Sequence, residues 1–259
     1  MNQYILEELR RAFLSKKMIA AIILSISLVF GGMWEYLLWI PSGGTSILYI
    51  FLAGYNEGTA NFLIVAFPLI ACLPFTASYV EDCKTGLNKY IYIRMKKRTY
   101  RVIRLLVNGL SGGIALASGS VVAFIFLLMA KVFTGMPMVK GQIETWEYLQ
   151  SVGIHTPFGA MGVILIVLFF CGFIVATIGL GISVFVQNMY LSVLLPFILY
   201  IFSATVLLSF SAKLSLGNLY NVNYYGVSFT ERLLYGGVLC LISVMLFFAG
   251  GHKIEEKNM

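Results

Sequence analysis

Apolar runs of about twenty residues, separated by short polar breaks, set the layout of this chain. A helix of that length crosses roughly 30 Å of hydrocarbon. Six such stretches are expected, over about 18–40, 60–80, 105–132, 158–186, 190–210 and 233–250. They are too long and unbroken for strands and lack the alternation of an outer-membrane barrel. Ahead of them, residues 1–17 read as an amphipathic helix. Ile5, Leu9 and Phe13 recur at four-residue spacing with Leu6 beside them, while Glu7, Glu8, Arg10 and Arg11 fill the other face. Such a helix lies in the headgroup plane. It is not a secretory signal, because its polar lead is long and acidic and no small-residue cleavage site follows the apolar run.

Smaller features punctuate the runs. Glu35 stands among Trp34, Tyr36 and Trp39 at the end of the first span, a pattern that reads as an interfacial belt. Its sharper alternative is a lumen-facing acid, since intramembrane carboxylates are costly. Ser46 to Ala53 is apolar but too short to cross, and reads as interfacial or re-entrant. Pro68 and Pro74 each remove a backbone donor from the second span and are expected to kink it. The third span carries Gly109, Gly113 and Ala117, and Ser111, Ala115 and Gly119, each at four-residue spacing. Small residues so placed let helices approach closely. Asn108 and Glu35 are the solitary polar candidates for a pathway. A turn at Gln187-Asn188-Met189 joins the fourth and fifth spans, and Pro196 lies inside the fifth. The aromatic stretch 211–231, with Tyr220, Tyr224 and Tyr225, is expected to dip into the outer interface.

Composition agrees with lipid as the solvent. The chain has 259 residues, 59% hydrophobic and 11% charged, against about 25% charged in a soluble domain. Cys72, Cys171 and Cys240 lie inside apolar runs and Cys83 in a charged segment, without disulfide or metal spacing. His155 and His252 stand apart with no catalytic constellation around them. The expected fold is therefore all-α and integral to the membrane, one domain over 1–259, without enzymatic machinery, metal or cofactor.

The formal charge of +7 is unevenly spread. Glu81 to Arg104, EDCKTGLNKYIYIRMKKRTYRVIR, holds eight of the eighteen basic residues: Lys84, Lys89, Arg94, Lys96, Lys97, Arg98, Arg101 and Arg104. Because the basic residues flank spans, they set orientation and attract anionic headgroups, and a nucleic-acid partner is set aside. With six spans, fourteen of the eighteen lysines and arginines fall on one side and four on the other. Both termini and the 81–104 bridge are thus expected in the cytoplasm.

The order of a basic amphipathic lead, a span, a hairpin, a basic bridge and four further spans resembles the permeases of type-2 ATP-binding-cassette exporters, of the Gram-positive kind. The likeness covers nearly the whole chain. Glu81 or Asp82, Gly86, Arg98-Thr99-Tyr100 and Arg104 are similar to the family's acidic, glycine, basic-aromatic and basic positions, with Met95 and Lys96 where the family often carries Pro. The stretch CGFIVATIGLGISVFVQNMYLSVLLP, from Cys171 to Pro196, is similar as well.

The resemblance implies a plasma-membrane permease that exports an amphipathic substrate, such as a peptide, toxin, antibiotic or lipid-like molecule. It implies two separate ATPase subunits that bind the ATP and Mg, and a second permease copy or paralogue. It makes 81–104 the coupling loop. Leu87, Tyr90, Ile91 and Ile93 would bury a small apolar face there, with Lys89, Arg94, Lys96 and Lys97 as a charged rim. This chain supplies no nucleotide site. It has no G-x-x-x-x-G-K-[S/T]. Leu110-Ser111-Gly112-Gly113, which matches the start of the LSGGQ signature, lies in a lipid-length run. The alternative is an ATPase-independent secondary transporter or channel, for which Pro68 and Pro74 are the only hint.

Overall fold

The computed structural model describes residues 2–40, 44–58, 61–186, 188–223 and 226–257, with backbone alone for 2 and 251–257. Ala60, Gln187, Tyr224 and Tyr225, and the side chains of His252 and the charged tail, lie outside the described residues. The described residues contain helices and no strands. Five helices are long and apolar enough to cross a membrane: Lys16–Leu37, Lys97–Thr134, Pro157–Val186, Met189–Phe210 and Phe229–Gly250. The chain is an all-helical, multi-pass membrane protein.

Helix α1 (Asn2–Phe13) packs on the bundle through Tyr4, Ile5, Leu9, Ala12 and Phe13. The structure corrects its expected faces. Glu8 points inward and is buried, whereas Leu6 is 65% exposed. Ser15 turns the chain into α2 (Lys16–Leu37), its hydroxyl donating to the Ala12 carbonyl and accepting from the Met18 amide. That side chain satisfies one of the amides a helix start leaves open.

The chain re-enters through α3 (Ile47–Leu52), which continues as a π-type turn over Ala53–Glu57. Five of the six α3 side chains are buried, so the segment too short to span is a plug packed inside the protein. Asn61 clasps the turn, its amide donating to the carbonyls of Ala53 and Gly54 at 3.2 Å each.

Where one span is expected over 60–80, the chain forms α4 (Leu63–Cys72), a turn, and α5 (Ser78–Thr85). Pro74 sits in the turn, and Pro68 is accommodated inside α4. A proline has no amide to give and its ring crowds the carbonyl four residues back, so the break falls at Pro74. Gly86, at φ +73°, ends α5 and opens α6 (Leu87–Arg94). Met95 and Lys96 are extended, and α7 (Lys97–Thr134) then runs unbroken for 38 residues. The expected third span thus begins eight residues early, inside what reads as a polar bridge.

Helix α8 (Glu144–Ser151) leads to α9 (Pro157–Val186), the centre of the bundle. Asn188 caps α10 (Met189–Phe202) by accepting from the Tyr190 and Leu191 amides. A second π-type turn (Ser203–Leu207) and α11 (Leu208–Phe210) follow. A 3-10 turn (Ala212–Leu214), α12 (Gly217–Tyr220) and α13 (Phe229–Lys257) complete the chain.

Of the two small-residue stripes of α7, Gly109 and Gly113 lie against α9, where an added Cβ would run into the Phe173 ring at the first and sit 2.7 Å from the Phe169 carbonyl at the second, whereas Gly119 faces Ser25 of α2. A Cβ on Gly112 would sit 2.7 Å from the Ala71 carbonyl and 2.5 Å from the Ala176 methyl; one on Gly172 would sit 2.6 Å from the Gly112 carbonyl. Close approach of this kind replaces the hydrophobic drive that lipid cannot supply. Ser25 ties α2 to the same helix, donating to Leu116 and accepting from Gly119, both at 3.1 Å.

The bundle has two distinct ends. At one, residues 8–17 of α1 and α2 meet 81–104, and Arg101 donates to the Phe248 carbonyl of α13. At the other, the plug meets the loops after α7 and α11. Tyr55 donates to the Tyr220 carbonyl at 2.5 Å, Tyr220 donates to the Tyr55 carbonyl at 2.6 Å, and their rings stack. Phe67 stacks on Tyr220 in turn. The chain from Leu63 to Thr85 therefore connects the two ends, bent at Pro74.

Gly172→Leu is expected to lower stability by about 1–3 kcal/mol or more through overpacking. Gly162→Leu, which faces open space on the same helix, is expected to leave it near wild type. Thermal unfolding of the two variants in detergent checks the difference.

Candidate functional site

The 81–104 segment, which runs from the end of α5 through α6 into α7, divides into a buried part and an exposed part. The buried part is a cluster of charges. Arg104, wholly buried on α7, is its centre. One guanidinium nitrogen donates to Glu8 at 3.0 Å and Ser78 at 3.2 Å; the other donates to the Tyr100 hydroxyl at 3.0 Å and pairs with Asp82. Asp82, equally buried, accepts from Tyr100 at 3.0 Å and pairs through its second oxygen with Arg11 at 2.7 Å. Glu81 pairs with Lys17 and lies 3.8 Å from Arg11. The aromatic faces of Phe75 and Tyr100 lie 5.0 and 5.2 Å from the Arg104 guanidinium carbon.

Three acids (Glu8, Glu81, Asp82) meet three bases (Arg11, Lys17, Arg104), so the cluster is neutral. That balance is what lets it be buried, because an unpaired interior charge costs several kcal/mol. Tyr4 lies at its edge, 6.4 Å from the Tyr100 ring. Burial holds the Tyr4 phenol well above its ordinary range, so it stays neutral. The cluster locks α1, α2, α5 and α7 together at one end of the bundle.

The exposed part is α6. Asn88, Ile91 and Tyr92 face the protein, and Tyr92 meets Tyr100 edge-on at 5.4 Å. Leu87, Tyr90 and Ile93, three residues apart, form a stripe on the outer side, exposed by 40, 71 and 82%. Lys89, Arg94, Lys96, Lys97 and Arg98 are exposed around it, with Lys97 5.4 Å from the Tyr92 ring centroid. Such a helix can bury a narrow apolar ridge against a partner inside a cationic rim. Each of its large side chains is worth about 1.5–3 kcal/mol when fully removed from water.

The expected coupling residues thus separate. Leu87, Tyr90, Arg94, Lys97 and Arg98 are on the surface; Ile91 and Glu81 are half-buried; Gly86 is the joint before α6. Asp82, Tyr100 and Arg104 face inward and are consumed by the cluster, which leaves them no surface to offer a partner. The remaining candidates do not join them. Glu35 is exposed beside Trp34 at the opposite end, and Pro68 and Pro74 are buried. Asn108 holds helices together, its amide donating to the Ala176 carbonyl at 2.6 Å and its carbonyl oxygen accepting from Thr76. Leu110–Gly113 lies within α7, where Ser111 and both glycines are buried. No group of His, Cys, Asp and Glu that would hold a metal occurs among the described residues.

Glu8, Arg11, Lys17 and Ser78 are absent from the expected site. An acid at an i+4 step from Tyr4, on the face that also carries Ala12, was the available signal.

Arg104→Leu is expected to cost about 3–5 kcal/mol, since it leaves the buried Asp82 and Glu8 with Arg11 as their one remaining cation. Lys17→Gln, in a pair half open to solvent, is expected to cost under about 1 kcal/mol. Arg104→Leu/Asp82→Leu, which removes one charge of each sign, is expected to recover part of the first loss; detergent unfolding curves for the three variants provide the check. Protein-family models, curated proteins and solved structures were compared with the chain, and none matches it.

Proposed function

We propose that this protein is the membrane-spanning subunit of an exporter driven by a separate ATPase, and that α6 is the helix the ATPase engages. The observation that carries this reading is the α6 ridge: three exposed apolar side chains in a basic rim, on a helix set against a buried charge cluster. A membrane protein with no nucleotide-binding motif of its own and a rigidly backed docking helix is suited to receive work done elsewhere. Force applied to α6 passes through Tyr92 and Tyr100 into the cluster, and from there into α1, α2, α5 and α7.

In this reading α4 and α5 together make a sixth crossing, bent at Pro74, and both termini lie in the cytoplasm. Charge bias supports it, because a chain whose α4 and α5 did not cross would put the basic bridge on the side opposite the basic N-terminal segment and lose the fourteen-to-four asymmetry. The proposed setting is the plasma membrane. Two ATPase subunits would supply ATP and Mg chemistry, and a second copy or paralogue of this chain would complete the pathway. The cargo is an amphipathic molecule, consistent with spans that carry few charged groups between their ends. ATP-driven closure of the ATPases would switch the paired permeases between inward- and outward-open states.

Co-expression with a candidate cassette ATPase tests the reading. The wild-type chain is expected to co-purify with it. Tyr90→Ala/Ile93→Ala and Arg94→Glu/Lys97→Glu are each expected to weaken the complex about tenfold or more without lowering thermal stability. A folded wild-type chain that binds no cassette ATPase would sink the proposal and leave the secondary-carrier or channel reading.

A further inference from the structure

Next to the charge cluster is a cleft of about 210 Å³ at the elbow between α1 and α2. Arg11, Lys16 and Lys17 form its cationic wall, Pro74 and Phe75 its apolar floor, and Glu81 is its one acid. Glu81 is already engaged by Lys17 and Arg11, and Arg11 also pairs with Asp82. Lys16 has no acidic partner among the described residues, and its side chain is exposed at the cleft. The wall therefore keeps an excess of positive charge after its internal pairs are made. A concave basic surface of this size suits a phosphate group.

The surroundings identify which kind of phosphate. Ile19 and Ile23, three and seven residues beyond Lys16, are 52 and 58% exposed. They begin the outward apolar strip of α2 within one or two helical turns of the cleft. Leu14, on the other side of the elbow, is 70% exposed. A free phosphate would use the lysines alone. A phospholipid would use both parts, with its headgroup in the cleft and an acyl chain along α2. Basic pockets at the ends of membrane helices bind anionic headgroups on this principle.

We infer that the elbow cleft binds the phosphate headgroup of an anionic phospholipid, with Lys16 as the principal cation and Ile19 and Ile23 as the acyl track. The inference stands on the membrane fold alone and is independent of what drives or crosses the protein.

Retention of phosphatidylglycerol against phosphatidylcholine by the full-length chain, counted by native mass spectrometry after detergent exchange, tests it. Wild type is expected to retain phosphatidylglycerol in preference. Lys16→Gln is expected to reduce that preference about fivefold, the effect of one cation at a membrane surface, with an unchanged unfolding temperature. Ile23→Ser is expected to weaken retention of both lipids. Lys96→Gln, at the same end of the bundle but outside the cleft, is expected to have no effect. Equal losses for Lys16→Gln and Lys96→Gln would reduce the effect to general surface charge and overturn the site. An unaltered preference in Lys16→Gln would overturn it too. Displacement of the lipid by millimolar inorganic phosphate would reassign the cleft to free phosphate and end the lipid proposal.

Discussion

Burial of Arg104 is the constraint on which this end of the molecule depends. A guanidinium cannot shed its charge, so once α7 carries it into the interior the protein must surround it with acceptors. Glu8, Asp82, Ser78 and Tyr100 do so, and they come from α1, α5 and α7 itself. The arrangement therefore fixes the position of the N-terminal helix and the direction in which the bent α4–α5 pair arrives. It also backs α6 with a rigid surface, through the edge-on contact of Tyr92 with Tyr100. Replacing such a network with apolar residues need not weaken a protein. What charges add is geometry, since each oxygen and nitrogen accepts few placements.

The long spans were legible because lipid imposes a uniform demand over many consecutive residues. The stretches expected over 158–186 and 190–210 correspond to Pro157–Val186 and Met189–Phe210. The glycine spacing of α7 was legible for the same reason, as a local pattern with a local consequence. Pro74 was readable as a kink, yet the structure ends one helix there and starts another. Sequence cannot grade a bend, because its extent depends on what packs beside it. The early start of α7 was hidden by its polar residues, which a helix projecting past the hydrocarbon carries without difficulty.

The candidate site was legible as a segment and not as a set of partners. Counting basic residues singles out 81–104, but partners of two of its members lie far away. Glu8 is 96 positions from Arg104, and Lys17 is 64 from Glu81. Nothing within a window around Arg104 distinguishes it from Arg98, which is exposed. Their difference is rotational. Tyr100 and Arg104 share one face of α7, and that face meets α1 and α5.

The paired tyrosines at the other end carry a consequence for biogenesis. Tyr55 and Tyr220 are 165 residues apart, and each closes the other's backbone. During synthesis the plug is made early, with its final partner still untranslated. The charge cluster, by contrast, needs nothing beyond Arg104. The charge cluster can therefore pair when less than half the chain exists, although its end of the bundle still awaits Phe248 of α13, while the plug waits for the loop that carries Tyr220. A chain interrupted between those points would have its charge cluster paired and its plug still unlatched.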